Sequence, residues 1–300
     1  RFGGGVHNGA VIRKDGQFFY VYRGEEELPA TFWNDANPES TNLGSIDYIC
    51  DIGIAVSDDG INFRRAAQHS PLFRHGKDAK YSFEDVCLVT YEDQHYLYCN
   101  RWDWKDVNNP KTNGVFIAIS RDMLHWENIG LAFPKAKRIH RNACVVQNPT
   151  NEVVRVNGRF VMHINDGLIA YSDNLIEWQS HEVENSWPGG EGCFAVAEYS
   201  ASQPDHIVLF TGGHHTGHFY AVGEVLFSKE NPERPLAWLS RPVLAAEKKY
   251  PWEDSTKLVS CFRNCIFFNG LTCYDGLWRA YYGGSEVYTC LATAVNNHAD

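Results

Sequence analysis

The chain has 300 residues, 44% of them hydrophobic and 14% aromatic, enough to bury a large core in one domain spanning 1–300. Its formal net charge of -10 leaves no basic footprint for nucleic acid or an anionic membrane surface. No apolar stretch approaches the roughly 18 residues of a membrane-spanning helix and no signal-peptide pattern opens the sequence, so the expected location is the cytoplasm or an organelle lumen.

In chain order, the first apolar run is Gln17 to Arg23 (QFFYVYR), and Ile54-Ala55-Val56-Ser57 follows it, closing at Phe63. His95 to Arg101 (HYLYCNR) precedes Ile117-Ala118-Ile119-Ser120, closing at Trp126. Arg159 to Asn165 (RFVMHIN) precedes Ile169-Ala170-Tyr171-Ser172, closing at Trp178. His206 to Gly212 with Val225 to Ser228, and Leu277 to Gly283 with Thr289 to Val295, make a fourth and a fifth, less regular copy. Asp15-Gly16, Asp59-Gly60, Asn113-Gly114, Asn157-Gly158 and Asn269-Gly270 supply the positive-φ residues of tight turns. Repetition every ~50 to 60 residues, built from strands and turns without a helical period, predicts an all-β, five-bladed β-propeller with its active site in the central channel. The closing aromatics Phe63, Trp126 and Trp178 are expected to pack between blades.

Inner strands are expected to start near Val6, Phe83, Arg141, Gly192 and Lys257, and in a propeller these starts converge on the channel. The polar residues there are His7 and Asn8, then Glu84 and Asp85, then His140, Arg141 and Asn142, then Glu191, and finally Asp254, Lys257 and Arg263. The second-strand ends add Arg23, Asn100, Arg101, Asn165, Asp166, His214 and His215, with Tyr220 nearby. A structural propeller would fill its channel with apolar groups, so this inventory favours a polyhydroxylated ligand.

Each member also has a plainer reading. Asp85 suits a strand start where a carboxylate accepts backbone N–H bonds. The acids Glu25-Glu26-Glu27 read as a solvated face and Arg23 as their ion-pair partner. His214-His215 suits a loop pair, and Trp102-Asp103-Trp104 either core packing or a sugar-stacking wall. The nine cysteines are odd in number and mostly lie in apolar strand runs, so they are expected to be reduced. No spacing matches a structural zinc site, and no metal or cofactor is required.

A family resemblance rests on Val6-His7-Asn8-Gly9-Ala10-Val11, Tyr22-Arg23, Phe83-Glu84-Asp85-Val86, His140-Arg141-Asn142, Gly158 to His163, Tyr220-Ala221-Val222-Gly223 with Asn231-Pro232, and Ala280 to Glu286. In order and spacing these resemble glycoside hydrolase family 130, the propeller mannoside phosphorylases, and especially the related trypanosomatid mannosyltransferase/phosphorylases of β-1,2-mannan. The resemblance implies that Asp85 is the catalytic acid. It implies sugar contacts for Asn8, Arg23, Asn100 and Glu286, to which Glu84, Arg101, Asp166 and Tyr220 are added from the channel inventory. It places phosphate at Arg141 and Asn142. The chain departs from the family where Pro-Arg after the catalytic Asp becomes Val86-Cys87, where a phosphate Arg becomes Asn165, and where a phosphate Lys falls among Gly189, Gly190 and Glu191. His140, His214, His215, Lys257 and Arg263 are the residues available to rebuild an anion site.

The implied activity is inverting β-mannoside phosphorolysis, with mannose, mannose 1-phosphate or phosphate, and β-mannooligosaccharides as partners. A phosphorylase needs one acid and cations to hold its nucleophile, whereas an inverting hydrolase needs a second carboxylate to activate water. Glu191 and Glu286 are candidates for that second carboxylate. An inverting β-mannosidase and a non-catalytic sugar-binding propeller therefore stay open as alternatives.

Overall fold

In the computed structural model the apolar runs pair into antiparallel sheets, described over residues 5–25, 50–73, 80–165, 167–183, 187, 190–213, 220–254 and 264–296. The first sheet is β1 (Gly5–Lys14), β2 (Gln17–Glu25), β3 (Cys50–Ser57) and β4 (Arg64–Arg65), in that spatial order. The second is β5 (Ser82–Tyr91), β6 (Gln94–Trp102), β7 (Gly114–Ser120) and β8 (Glu127–Leu131). The third orders β10 (Arg155–Val156), β11 (Arg159–Ile164), β12 (Leu168–Ser172) and β13 (Gln179–Glu182), with the short β9 (Cys144–Val145) also paired to β11. The fourth is β14 (Glu191–Ala197), β15 (His206–Gly212), β16 (Gly223–Ser228) and β17 (Pro235–Trp238). The fifth has β18 (Ile266–Tyr274), β19 (Leu277–Gly284) and β20 (Tyr288–Val295), and no fourth strand among the described residues.

These five meanders are propeller blades, as the repeat requires. The fifth inner strand starts at Ile266 rather than near Lys257, which lies outside the described residues. Among the described residues, no helix is long and apolar enough to cross a membrane.

Both faces of the inner strands are covered, which is why apolar residues dominate their length beyond the polar channel end. Ala10 and Ile12 of β1 pack against Val86 and Leu88 of β5, while the intervening Val11 faces Tyr281 of β19. The same period-2 division seats Tyr98, Phe160 and Met162 between blades 2 and 3, and Phe194, Ile266 and Phe268 between blades 4 and 5. Each fully buried Ile or Phe in such a seam contributes about 1.5–3 kcal/mol. The ring closes where Val6 N–H donates to Val287 O at 3.1 Å and Thr289 Oγ1 donates to Val6 O at 2.8 Å.

The repeated Ile-Ala-x-Ser element has a local cause. Ser57 Oγ accepts the N–H groups of Asp59 and Gly60, and Asp59 Oδ1 accepts those of Ile61 and Asn62. Ser120 with Asp122, and Ser172 with Asn174, repeat that pattern. The turn delivers the closing aromatic to a seam: Phe63 lies 5.5 Å from Tyr20 and 6.0 Å from Tyr281, and Trp178 meets Tyr98 edge-on at 6.0 Å. Trp126 packs against the seam of blades 1 and 2.

Candidate active site in the central channel

Three inner strands begin with the same backbone device. Asn8, Asp85 and Asn142 adopt left-handed φ values of 49°, 54° and 57°, and the register slips between His7 and Ala10 and between Glu84 and Cys87. Short polar residues tolerate this conformation better than other L-residues, and the resulting bulge re-aims the side chain. The three side chains gather around Asn100 of β6, which sits opposite Glu84 in the sheet.

Asp85 is gripped on both oxygens. Asn8 Nδ2 donates to Oδ1 and Asn100 Nδ2 to Oδ2, each at 3.1 Å, while Arg23 NH1 stands 3.9 Å from Oδ1. Asn100 is itself fixed, because its Nδ2 also donates to Asn142 Oδ1 at 2.7 Å and its Oδ1 accepts Asn142 N–H at 2.8 Å. Four residues from three blades thus set the position of one carboxylate.

Arg23 NH2 pairs with Glu25 Oε1 at 2.7 Å and with Glu84 Oε2 at 3.3 Å; the indole of Trp102 donates to Glu84 Oε1. Burial raises the Glu84 carboxyl to about 7; Arg23 and the indole oppose this, while the charges of Asp85 and Glu286 add to it. Glu25 Oε1 lies 3.3 Å from His7 Nε2. Burial acts to lower the His7 pKa, but the charge and hydrogen bond of Glu25 outweigh it and leave the imidazole raised. Glu25 is therefore a buried member of the site and not the solvated acid expected; Glu26 and Glu27 lie outside the described residues.

On the other side of the channel, Arg141 NH2 donates to Glu191 Oε1 at 2.7 Å and Asn142 Nδ2 to Glu191 Oε2 at 3.2 Å. Asn165 holds this corner by accepting Arg141 N–H on its Oδ1 at 3.1 Å. Tyr220 stands close enough for the Glu191 charge to add to the effect of burial in raising its phenol. Glu286, with φ 54°, completes the ring, and its charge reaches His7, Glu84 and Tyr220.

Two expected members sit differently. His140 Nε2 meets Ser180 Oγ at 2.7 Å, its Nδ1 meets Arg138 O at 3.0 Å, and its ring packs on Phe133. Both nitrogens are thereby committed away from Arg141, and burial lowers the pKa. Arg101 donates from Nε to Thr112 O at 2.8 Å and stacks over Tyr81 and Phe116, which makes it a support for the 102–113 loop. Trp104 stacks on Trp102 in that loop at 5.3 Å, so this aromatic pair borders the site through Glu84. Asp166, His214, His215, Lys257 and Arg263 lie outside the described residues, and Asp254 is buried beside the fifth blade. Sequence reading missed the importance of Glu25; its alternation with Arg23 on β2 was the available signal. Among the described residues no cluster of three or more His, Cys, Asp or Glu is arranged to hold a metal, and the eight described cysteines are free and buried.

The molecule is thus a five-bladed propeller whose channel is organised around an axial carboxylate. No protein-family model matches the chain. Over 97% of its length it is 23% identical to a 1,2-beta-oligomannan phosphorylase of Thermoanaerobacter sp. (strain X514), covering 89% of that protein. A beta-1,2-mannobiose phosphorylase of the same strain is 24% identical over 96% of the chain and 89% of its own length. Among solved structures, the β-1,2-mannobiose phosphorylase from Listeria innocua superposes with a TM-score of 0.70 at 16% identity, over 98% of this chain and 90% of that one. A structure described with the GH130 mannoside phosphorylases, and with glycoside hydrolases among them that target β-1,2-mannosidic linkages in Candida mannan, gives 0.75 at 20% identity, over 98% and 85%. The resemblance to glycoside hydrolase family 130 holds and the fold is that of its mannoside phosphorylases; the trypanosomatid detail is not part of what these likenesses show.

Proposed function

We propose that the protein is an inverting β-mannoside phosphorylase that acts on β-1,2-mannooligosaccharides and reversibly transfers mannose between mannose 1-phosphate and an acceptor sugar. The observation that carries this reading is Asp85, fixed by Asn8 and Asn100 beside the Arg141–Asn142 corner, in a chain similar over nearly its whole length to two phosphorylases of this class. Asp85 delivers a proton to the glycosidic oxygen, directly or through a mannose hydroxyl, as the C1–O bond breaks. Phosphate forms the new bond to C1 from the opposite face, and its displaced proton restores the acid. Arg141 supplies a planar guanidinium and Asn142 an amide donor for the phosphate oxygens. Arg23 and Glu84 hold the acid's surroundings and offer hydrogen bonds to sugar hydroxyls.

A second reading has its own observation. Glu191 places a carboxylate on both Arg141 and Asn142, where phosphate is expected. In an inverting hydrolase a second carboxylate opposite the acid activates water. Supplying mannose 1-phosphate and mannose, and following inorganic phosphate and oligosaccharide length, separates the two. Phosphate release with growing β-mannosides, reduced at least ~10²-fold by Asp85→Asn with sugar binding retained, supports the phosphorylase. Mannose release from β-mannosides at an undiminished rate without phosphate would replace it by the hydrolase.

A further inference from the structure

Beside blade 5, on the side from which β20 starts, the surface carries a groove of about 700 Å³ lined by Leu244–Ala245, Glu247, Tyr250–Glu253, Tyr282 and Tyr288–Ala292. Of its four aromatic residues Tyr282 is buried and the other three are open. Tyr250 and Trp252 are 37% and 42% exposed, and Tyr288 is 45% exposed. The Tyr250 and Trp252 rings stack at 5.3 Å with an interplanar angle of 19°, forming one platform. Scattered surface aromatics need no explanation, but three around one concavity mark a binding face.

The platform is anchored to the channel. Glu253, only 2% exposed, accepts the Tyr282 hydroxyl on Oε1 at 2.7 Å and Glu247 N–H on Oε2 at 2.8 Å. Its carbonyl accepts Ser285 Oγ–H at 2.9 Å, and the Trp252 carbonyl packs so closely on Gly284 that a Cβ there would approach it to 2.8 Å. Gly284 and Ser285 lead directly into Glu286, whose charge acts on Glu84 in the channel. The groove and the catalytic channel are therefore built on the two sides of one turn.

The groove's chemistry narrows its ligand. Among the described lining residues the charged ones are Glu247 and Glu253, and the neighbouring Lys249 is paired to Glu247 at 2.6 Å, so these residues favour a ligand that is not an anion. Flat aromatic faces with tyrosine hydroxyls and the exposed Glu247 carboxylate at their edges suit a neutral chain of pyranose rings, which presents C–H faces and hydroxyl rims.

We propose that this groove is a remote subsite holding the distal sugars of a β-mannooligosaccharide whose reacting end lies in the channel, with Trp252 as its principal contact. This rests on the mannoside reading above. The site gives the enzyme a preference for longer chains over mannobiose without touching the bond that breaks.

The test compares wild type, Trp252→Ala and Trp252→Phe. Binding of β-1,2-mannobiose and of a longer β-1,2-mannooligosaccharide is titrated without phosphate, and turnover of each is measured with phosphate. The expected result is that Trp252→Ala weakens binding and raises KM for the longer chain about five- to tenfold, with mannobiose turnover unchanged and Trp252→Phe largely preserving the preference. Equal length dependence in wild type and Trp252→Ala, with mannobiose still turned over, would overturn the subsite and leave the proposed activity standing. Absence of both binding and turnover of any β-mannoside in wild type would overturn the activity and the subsite together.

Discussion

Glu84 offers the sharpest quantitative prediction, because its carboxyl is buried between one guanidinium and two other carboxylates. Its pKa stands at about 7 against an ordinary value of 4.5, first through desolvation, then through the nearby charges of Asp85 and Glu286, with Arg23 opposing. At about 1.4 kcal/mol per pH unit this amounts to about 3 kcal/mol between the protonated and ionised native states. For an acid whose pKa is raised by folding, the native chain holds the proton longer than the unfolded chain. The corresponding stability is complete below pH 4.5 and is lost as pH rises through about 7. Glu84→Gln keeps an acceptor for the Trp102 indole and removes the titration. Urea unfolding, followed by tryptophan fluorescence in steps from about pH 4.5 to 8, should show wild type losing about 2–3 kcal/mol relative to the variant at constant m-value. The raised His7 imidazole changes stability in the same direction, but it is common to both proteins and cancels in the difference. A difference that stays flat across this range would mean that Glu84 ionises alike in native and unfolded chains, and the packed-carboxylate account would fail.

Two further substitutions probe the channel. Glu191→Gln removes the negative partner of Arg141, so the KM for phosphate in phosphorolysis should fall about five- to tenfold; loss of phosphate-independent mannose release would instead identify Glu191 as a hydrolytic base. Gly283→Ala would drive a Cβ into Asn8 Oδ1 and to 3.3 Å from His7 Cβ, so Asn8 must give up its place on Asp85. The expected outcome is a fall in kcat/KM of about ten- to a hundredfold with a stability loss of about 1–3 kcal/mol, read by initial rates and urea unfolding; unchanged kinetics would show that Asn8 does not position the acid.

The strands were legible because each blade is covered on both faces, which writes nearly continuous apolar runs such as Gln17 to Arg23 into the sequence. The Ser-x-Asp turns were legible for a local reason too, since one hydroxyl and one carboxylate satisfy four consecutive N–H groups within six residues, 57–62. Glu25 was misread because its charge suggested water: Arg23, two residues before it on the same strand, was in view as a partner, but only the fold brings His7 from the paired strand and buries the pair. The direction of the His140 ring was illegible for the converse reason: Ser180 and Phe133 lie off the motif, yet they turn its ring from Arg141. The sequence alone determined five repeated β-units and the polar residue types at their starts, because period and turn chemistry act over a few residues. Which of those groups meet was decided by the tertiary structure, since the convergence of Asn8, Asp85, Asn100 and Asn142 depends on closing a ring of blades. The charge state of Glu84 likewise depends on neighbours that only that closure supplies.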